Sequence, residues 1–133
     1  MKLDFLKKNS ETLYVVFRVL VGFMFFQHGA QKLLGWFGGN GGAALVSMMG
    51  LAGVIELIGG LAILLGFFSR LAAVGGTLVM LGALVTVHFP KGWNPLANMG
   101  EPALLYLAAF LVVMAYGNGK WSVEKSLLKK EMF

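Results

Sequence analysis

Six ionisable residues stand in otherwise apolar stretches of this chain: Arg18, His28, Lys32, Glu56, His88 and Glu101. Two imidazoles and two carboxylates can hold and pass protons, and two fixed cations can steer an anion. The set suits a quinone headgroup. His28 and His88 would donate to its carbonyls, Glu56 or Glu101 would relay protons, and Lys32 would favour an anionic reduced form. Trp36 and Trp93, with Phe25, Phe26 and Phe89, would wall an apolar cleft for its tail. A second chemistry uses His28, His88 and Glu101 as a two-His-one-carboxylate metal face, or the two imidazoles as axial ligands of a b-type haem. No HxxxH or ExxH pair supports it by spacing. The bland alternatives are an Arg18–Glu56 pair acting as structural glue, and a satisfied interior His28. Lys32 would then be an interfacial anchor, and His88 and Glu101 helix-terminal residues.

Such groups need elements to hold them, and the composition says which. The chain has 133 residues, of which 58% are hydrophobic and 13% charged, with 19 glycines. Soluble domains carry about 25% charged residues. Between Lys32 and Lys91 the only acidic or basic residues are Glu56 and Arg70. A soluble domain of this size has too little interior for such apolar runs. That excludes a soluble enzyme, a disordered chain and a nucleic-acid partner. The net charge of +5 forms no stripe for a phosphate backbone. With no cysteine, disulfides, thiolate-held metals and any thiol relay within the chain are excluded.

A spanning helix needs about 20 apolar residues. The pattern predicts an all-α integral membrane protein, a single transmembrane domain of four spans over residues 12–34, 43–67, 71–89 and 99–116, with a basic tail over 117–133. Lys7 and Lys8 precede the first span, but Arg18 interrupts it and no small-x-small cleavage site follows, so it is read as an uncleaved helix. Placing both termini and the Arg70 turn in the cytoplasm puts Lys2, Lys7, Lys8, Arg70, Lys120, Lys125, Lys129 and Lys130 on that side. Only Lys32 and Lys91 fall on the other, a clear positive-inside bias. The tail's Lys and Leu pattern suits a short amphipathic surface helix.

Helical geometry then sorts the polar groups. A 100° step per residue puts Arg18, Gly22, Phe25, His28, Gly29 and Lys32 within about 120° of arc. Glu56 shares its face with Gly53 and Gly60, near the middle of its span. His28 is expected roughly 7–8 Å outward of the first helix's midpoint, and Arg18 about as far inward. His88 ends the third helix and Glu101 opens the fourth. All four spans would contribute to one polar constellation in the outer half.

These residues also carry a resemblance. Arg18-x3-Gly22-x5-His28-Gly29-x2-Lys32, Glu56-x2-Gly59-Gly60 with Leu65-Gly66, and Arg70-Leu71-Ala72-Ala73 resemble DoxX-type membrane proteins. So do His88-x-Pro90-x-Gly92, Glu101 with Tyr106, and Gly117-x-Gly119-x2-Ser122, in consistent order from Leu13 to Ser122. The stretch from Gly38 to Ala44 is shorter than is usual in that family, which argues against a lid or extra helix there. The resemblance implies a four-helix protein of the prokaryotic inner membrane, related to the membrane subunit of thiosulfate:quinone oxidoreductase and linked with oxidative or quinone stress. The expected function is therefore a quinone-interacting subunit of a membrane oxidoreductase system. A metal- or haem-binding protein, a non-enzymatic scaffold recruiting enzymes through the tail, and a small-solute transporter are the alternatives. Expected partners are the bilayer, membrane or cytoplasmic redox proteins, and further copies of the chain.

Overall fold

The computed structural model describes residues 2–131; Met1 and the last two residues of the expected tail, Met132 and Phe133, lie outside it. Among the described residues every regular element is helical. The order is α1 (Lys2–Lys8), α2 (Ser10–Leu34), α3 (Met48–Leu65), α4 (Ser69–Ala83), α5 (Glu101–Tyr116) and α6 (Val123–Leu128). A π-helical turn, Leu84–His88, and a 3-10 turn, Phe89–Lys91, continue α4. Three helical stretches have the length and apolar character to cross a bilayer: Ser10–Leu34, Met48–Leu65 and Ser69–Lys91. The fourth apolar helix, α5, has 16 residues. At about 1.5 Å per residue it reaches roughly 24 Å, short of a hydrocarbon core of about 30 Å.

Glycine sets the distance between α2 and α3. A Cβ on Gly22 would stand 2.7 Å from Leu64 Cα and 2.8 Å from Gly60 O, and one on Gly29 would stand 2.6 Å from Gly53 O. Only a bare backbone permits that approach, which gives two membrane helices a packing surface that lipid cannot replace. The same contacts fix the register. Gly22 faces Leu64, Phe26 faces Gly60 and Gly29 faces Leu57.

The second span starts later than the apolar run suggests, at Met48 rather than Ala43. The preceding residues are consumed in closing α2. Gly41, Gly42 and Ala43 donate their backbone N–H groups to the carbonyls of Gln31, Leu33 and Lys32. These are among the last-turn acceptors that a helix leaves open. Ser47 then caps α3 by accepting from Gly50 N at 3.0 Å. Residues 35–47 form no helix, as the short connection leads one to expect.

Phe110 ties the bundle together. It lies fully buried against Gly76 of α4 and makes an edge contact with Phe25 of α2, centroids 4.7 Å apart. Val21, Ile63, Ala73, Met80, Leu84, Ala103 and Val113 complete this core. Contacts run α2 to α3, α3 to α4 and α4 to α5, while α2 and α5 touch only sparsely.

Candidate functional site

The seam between α2 and α5 opens as a groove of about 590 Å³. From α2 it takes Phe17, Val21, Met24 and His28, which recur at helical spacing along one stripe. From α5 it takes Glu101, Pro102, Leu105, Tyr106 and Ala109. The lining is apolar along most of its length and polar at one end. The His28 ring meets the Tyr106 ring edge-on at 5.5 Å, and Tyr106 stacks on Phe110 at 5.9 Å. Among the described residues the His28 imidazole has no hydrogen-bond partner, so both ring nitrogens are free to serve a ligand. Glu101 opens α5, one residue before Pro102, about 7–8 Å along the axis from Tyr106. This carboxylate lines the groove beside Pro102.

Behind the groove lies an ion pair. Lys32 Nζ stands 2.6 Å from both Glu56 oxygens, with the Glu56 side chain 3% exposed and that of Lys32 28%. The Glu56 charge is within Coulombic reach of His28 and Tyr106. A carboxylate at that depth costs several kcal/mol unless compensated, and the lysine compensates it while keeping a route to the surface.

The expected Arg18–Glu56 pair does not form, and the α2–α3 register is the reason. Continuing it puts Arg18 level with Phe68 and Glu56 level with Ala30, about 18 Å apart along the axis. Arg18 thus lies at the α3–α4 turn, not well within the span. Its guanidinium donates to Asn118 O, to Trp121 O at 2.7 Å and to Leu64 O at 3.3 Å. There it anchors a clasp that the sequence pattern did not reveal. Glu124 Oε1 accepts from Phe68 N at 2.6 Å and from Asn118 Nδ2 at 3.1 Å, and Asn118 Oδ1 accepts from Ser69 N. Tyr14 donates its hydroxyl to Gly117 O. The tail helix α6 is therefore docked on the α3–α4 turn through buried Glu124, while Lys125, Lys129 and Lys130 stay exposed. The Gly-Asn-Gly run, which by pattern is only a helix stop, was the available signal.

His88 is drawn away from the groove. It closes the π-helical turn, and its Nδ1–H donates to Asn98 O at 3.1 Å. Asn98 in turn donates to Gly92 O and accepts from Gly100 N, so His88 pins the α4–α5 loop to the start of α5. That capping, together with a left-handed Met99 (φ 64°), explains why α5 begins at Glu101 and not at Met99. The metal face of His28, His88 and Glu101 is not assembled. Among the described residues no three His, Asp or Glu side chains come close enough to share an ion. Of the expected cleft walls, Phe25 is buried in the core, Trp36 stacks edge-on with Phe37, and Trp93 is 82% exposed. None of the three lines the groove. Phe17, Met24, Leu105 and Tyr106 line it instead.

Known proteins share much of this chain. A sequence profile of the DoxX family matches residues 13–89, which carry His28, Lys32, Glu56 and His88. A Haemophilus influenzae protein of unassigned function is 36% identical, covering 94% of this chain and 98% of its own. The Escherichia coli inner membrane protein YqjF is 30% identical over 94% of this chain and 99% of its own. CatD of Bacillus subtilis, provisionally named an oxidoreductase, is 35% identical over 62% of this chain and 64% of its own. No solved structure matches significantly. Apolar helices, inner-membrane relatives and the profile agree that this is a multi-pass inner membrane protein. The chain belongs to the DoxX family.

Proposed function

We propose that the α2–α5 groove binds a membrane quinone and that the protein serves a quinone-linked oxidoreductase system. One observation carries the reading: a mainly apolar groove between α2 and α5 is lined by His28, whose imidazole forms no hydrogen bond among the described residues, and by the Glu101 carboxylate. A quinone has the matching polarity, an isoprenoid tail for Phe17, Val21, Met24 and Leu105 and a carbonyl-bearing ring for His28. Reducing it takes two electrons and two protons. His28 orients a carbonyl and passes a proton, and Glu101 exchanges protons with water at the outer surface. The Lys32–Glu56 pair stands behind as fixed charge. The chain has no cysteine to carry the electrons, so they come from a bound cofactor or a partner protein. The oxidoreductase name of CatD supports this class of chemistry.

In this reading α5 is a fourth, short crossing and both termini lie in the cytoplasm, on the side of Arg70, Lys120 and Lys125. Single cysteines introduced at Lys125 and Gly92 test the orientation, since the native chain has none. Labelling from outside intact spheroplasts is expected at position 92 only. Quinone is tested by organic extraction of protein purified in mild detergent. Near-stoichiometric quinone from the wild type supports the reading. Protein that yields none and takes up none on addition contradicts it, and a Soret band in its spectrum would indicate haem instead.

A further inference from the structure

The end of the bundle where α2 begins and α5 ends holds a second cavity, of about 780 Å³. Glu11 and Tyr14 from the start of α2, Tyr116 from the end of α5, and Lys120, Lys125 and Glu131 from the tail line it. Its chemistry differs from that of the groove, with two ammonium groups, two carboxylates and two phenol rings. Part of this set is already engaged. Glu131 Oε1 accepts from Asn118 N at 3.2 Å and lies 3.6 Å from Arg70, and the Tyr14 hydroxyl is held by Gly117 O. Glu11, Lys120 and Lys125 form no ion pair among the described residues. The Tyr14 and Tyr116 rings stand 5.4 Å apart, tilted at 49°, and make an aromatic corner beside Glu11.

The depth is informative too. Tyr14 lies one helical turn beyond Arg18, which is level with the α3–α4 turn, so the cavity sits where spans give way to headgroups. Trp121, 59% exposed and covered on one side by Lys120 at 4.4 Å, marks the same level.

The geometry points to a headgroup site for a zwitterionic phospholipid carrying a primary ammonium, as in phosphoethanolamine. Its phosphate is held by Lys120 and Lys125, and its ammonium donates to Glu11 over the Tyr14 and Tyr116 ring faces. The mixture of signs gives selectivity. An anionic headgroup without an amine leaves Glu11 facing negative charge. A quaternary ammonium fits the rings but has no N–H to donate to the carboxylate.

Native mass spectrometry of the full chain, released from micelles supplemented with one lipid at a time, tests this. Phosphatidylethanolamine is expected to be retained several-fold over phosphatidylglycerol and phosphatidylcholine. K120Q/K125Q should weaken its retention by roughly fivefold per lysine. E11Q should erase the preference over phosphatidylglycerol while phosphate-dependent retention persists. These side chains are exposed, and helical content with thermal melting confirms that the variants fold. Equal retention of the three lipids, or a preference unchanged in E11Q, overturns the assignment. Displacement of the lipid by soluble phosphoethanolamine would transfer the site to a free phosphate ester.

Discussion

Lys32 grips both oxygens of Glu56 at 2.6 Å, joining the last turn of α2 to the middle of α3. The two partners are unequal, because the glutamate is buried and the lysine reaches the surface. Removing the lysine strands a carboxylate in a low-dielectric site. Removing the glutamate leaves an ammonium that can snorkel outward. Lys32→Met is therefore expected to destabilise more than Glu56→Gln, and adding Glu56→Gln to Lys32→Met should restore part of the loss. The single-variant cost should stay below the roughly 3–5 kcal/mol typical of a fully buried pair, since Lys32 is partly solvated. Reversible unfolding in micelles measures it. Equal losses in the two single variants would show that the pair is not the asymmetric contact described.

Arg18 holds three carbonyls from two segments at the opposite end, that of Leu64 in α3 and those of Asn118 and Trp121 after α5. Arg18→Lys keeps the charge but loses the planar fork that reaches several acceptors at once. The expected cost is at least about 1.5–3 kcal/mol, the worth of one charge-assisted hydrogen bond. The residues that lose their anchor lie beyond Gly117. Hydrogen exchange and protease cleavage within 117–128 should accelerate in the variant while α3 remains protected. Unchanged exchange in the tail would sink the clasp.

The glycine seam supplies a paired test. Gly22→Ala forces a methyl onto Leu64 Cα, whereas a methyl added at Gly82 meets nothing within 4 Å. The first substitution should cost about 1–3 kcal/mol through overpacking. The second should be neutral or gain up to about 1 kcal/mol from helix propensity. Comparable melting temperatures for the two variants would contradict the backbone contact assigned to α2 and α3.

The helices are readable from sequence because hydropathy reports where lipid replaces water, and lipid forces the backbone to satisfy itself. Their relative heights are not. The α2–α3 register is set by backbone contact at Gly22, Gly29 and Gly60, and a face plot of α2 alone cannot say which residue of α3 stands opposite. Arg18 and Glu56 look like partners by sign and by estimated depth, yet register gives Glu56 to Lys32. His28 and Glu101 are recognisable as polar groups in apolar surroundings and do line one groove. His88 has the same signature, but its partner is the carbonyl of Asn98 ten residues on, a tertiary contact with no mark in spacing. Glu124 is inconspicuous among the lysines of the tail because nothing local distinguishes a solvated glutamate from a buried one.

The two histidines give the most direct test of the proposed function. Titration of wild type, His28→Ala and His88→Ala with a short-chain quinone analogue, followed by tryptophan quenching, compares their roles. Loss of one hydrogen bond to a ligand carbonyl is worth about 0.5–1.5 kcal/mol. His28→Ala should therefore weaken binding up to roughly tenfold, while His88→Ala, which only loosens the α4–α5 loop, should bind nearly as the wild type does. Tight binding that survives His28→Ala, or that depends on His88 alone, would contradict the α2–α5 groove as the quinone site.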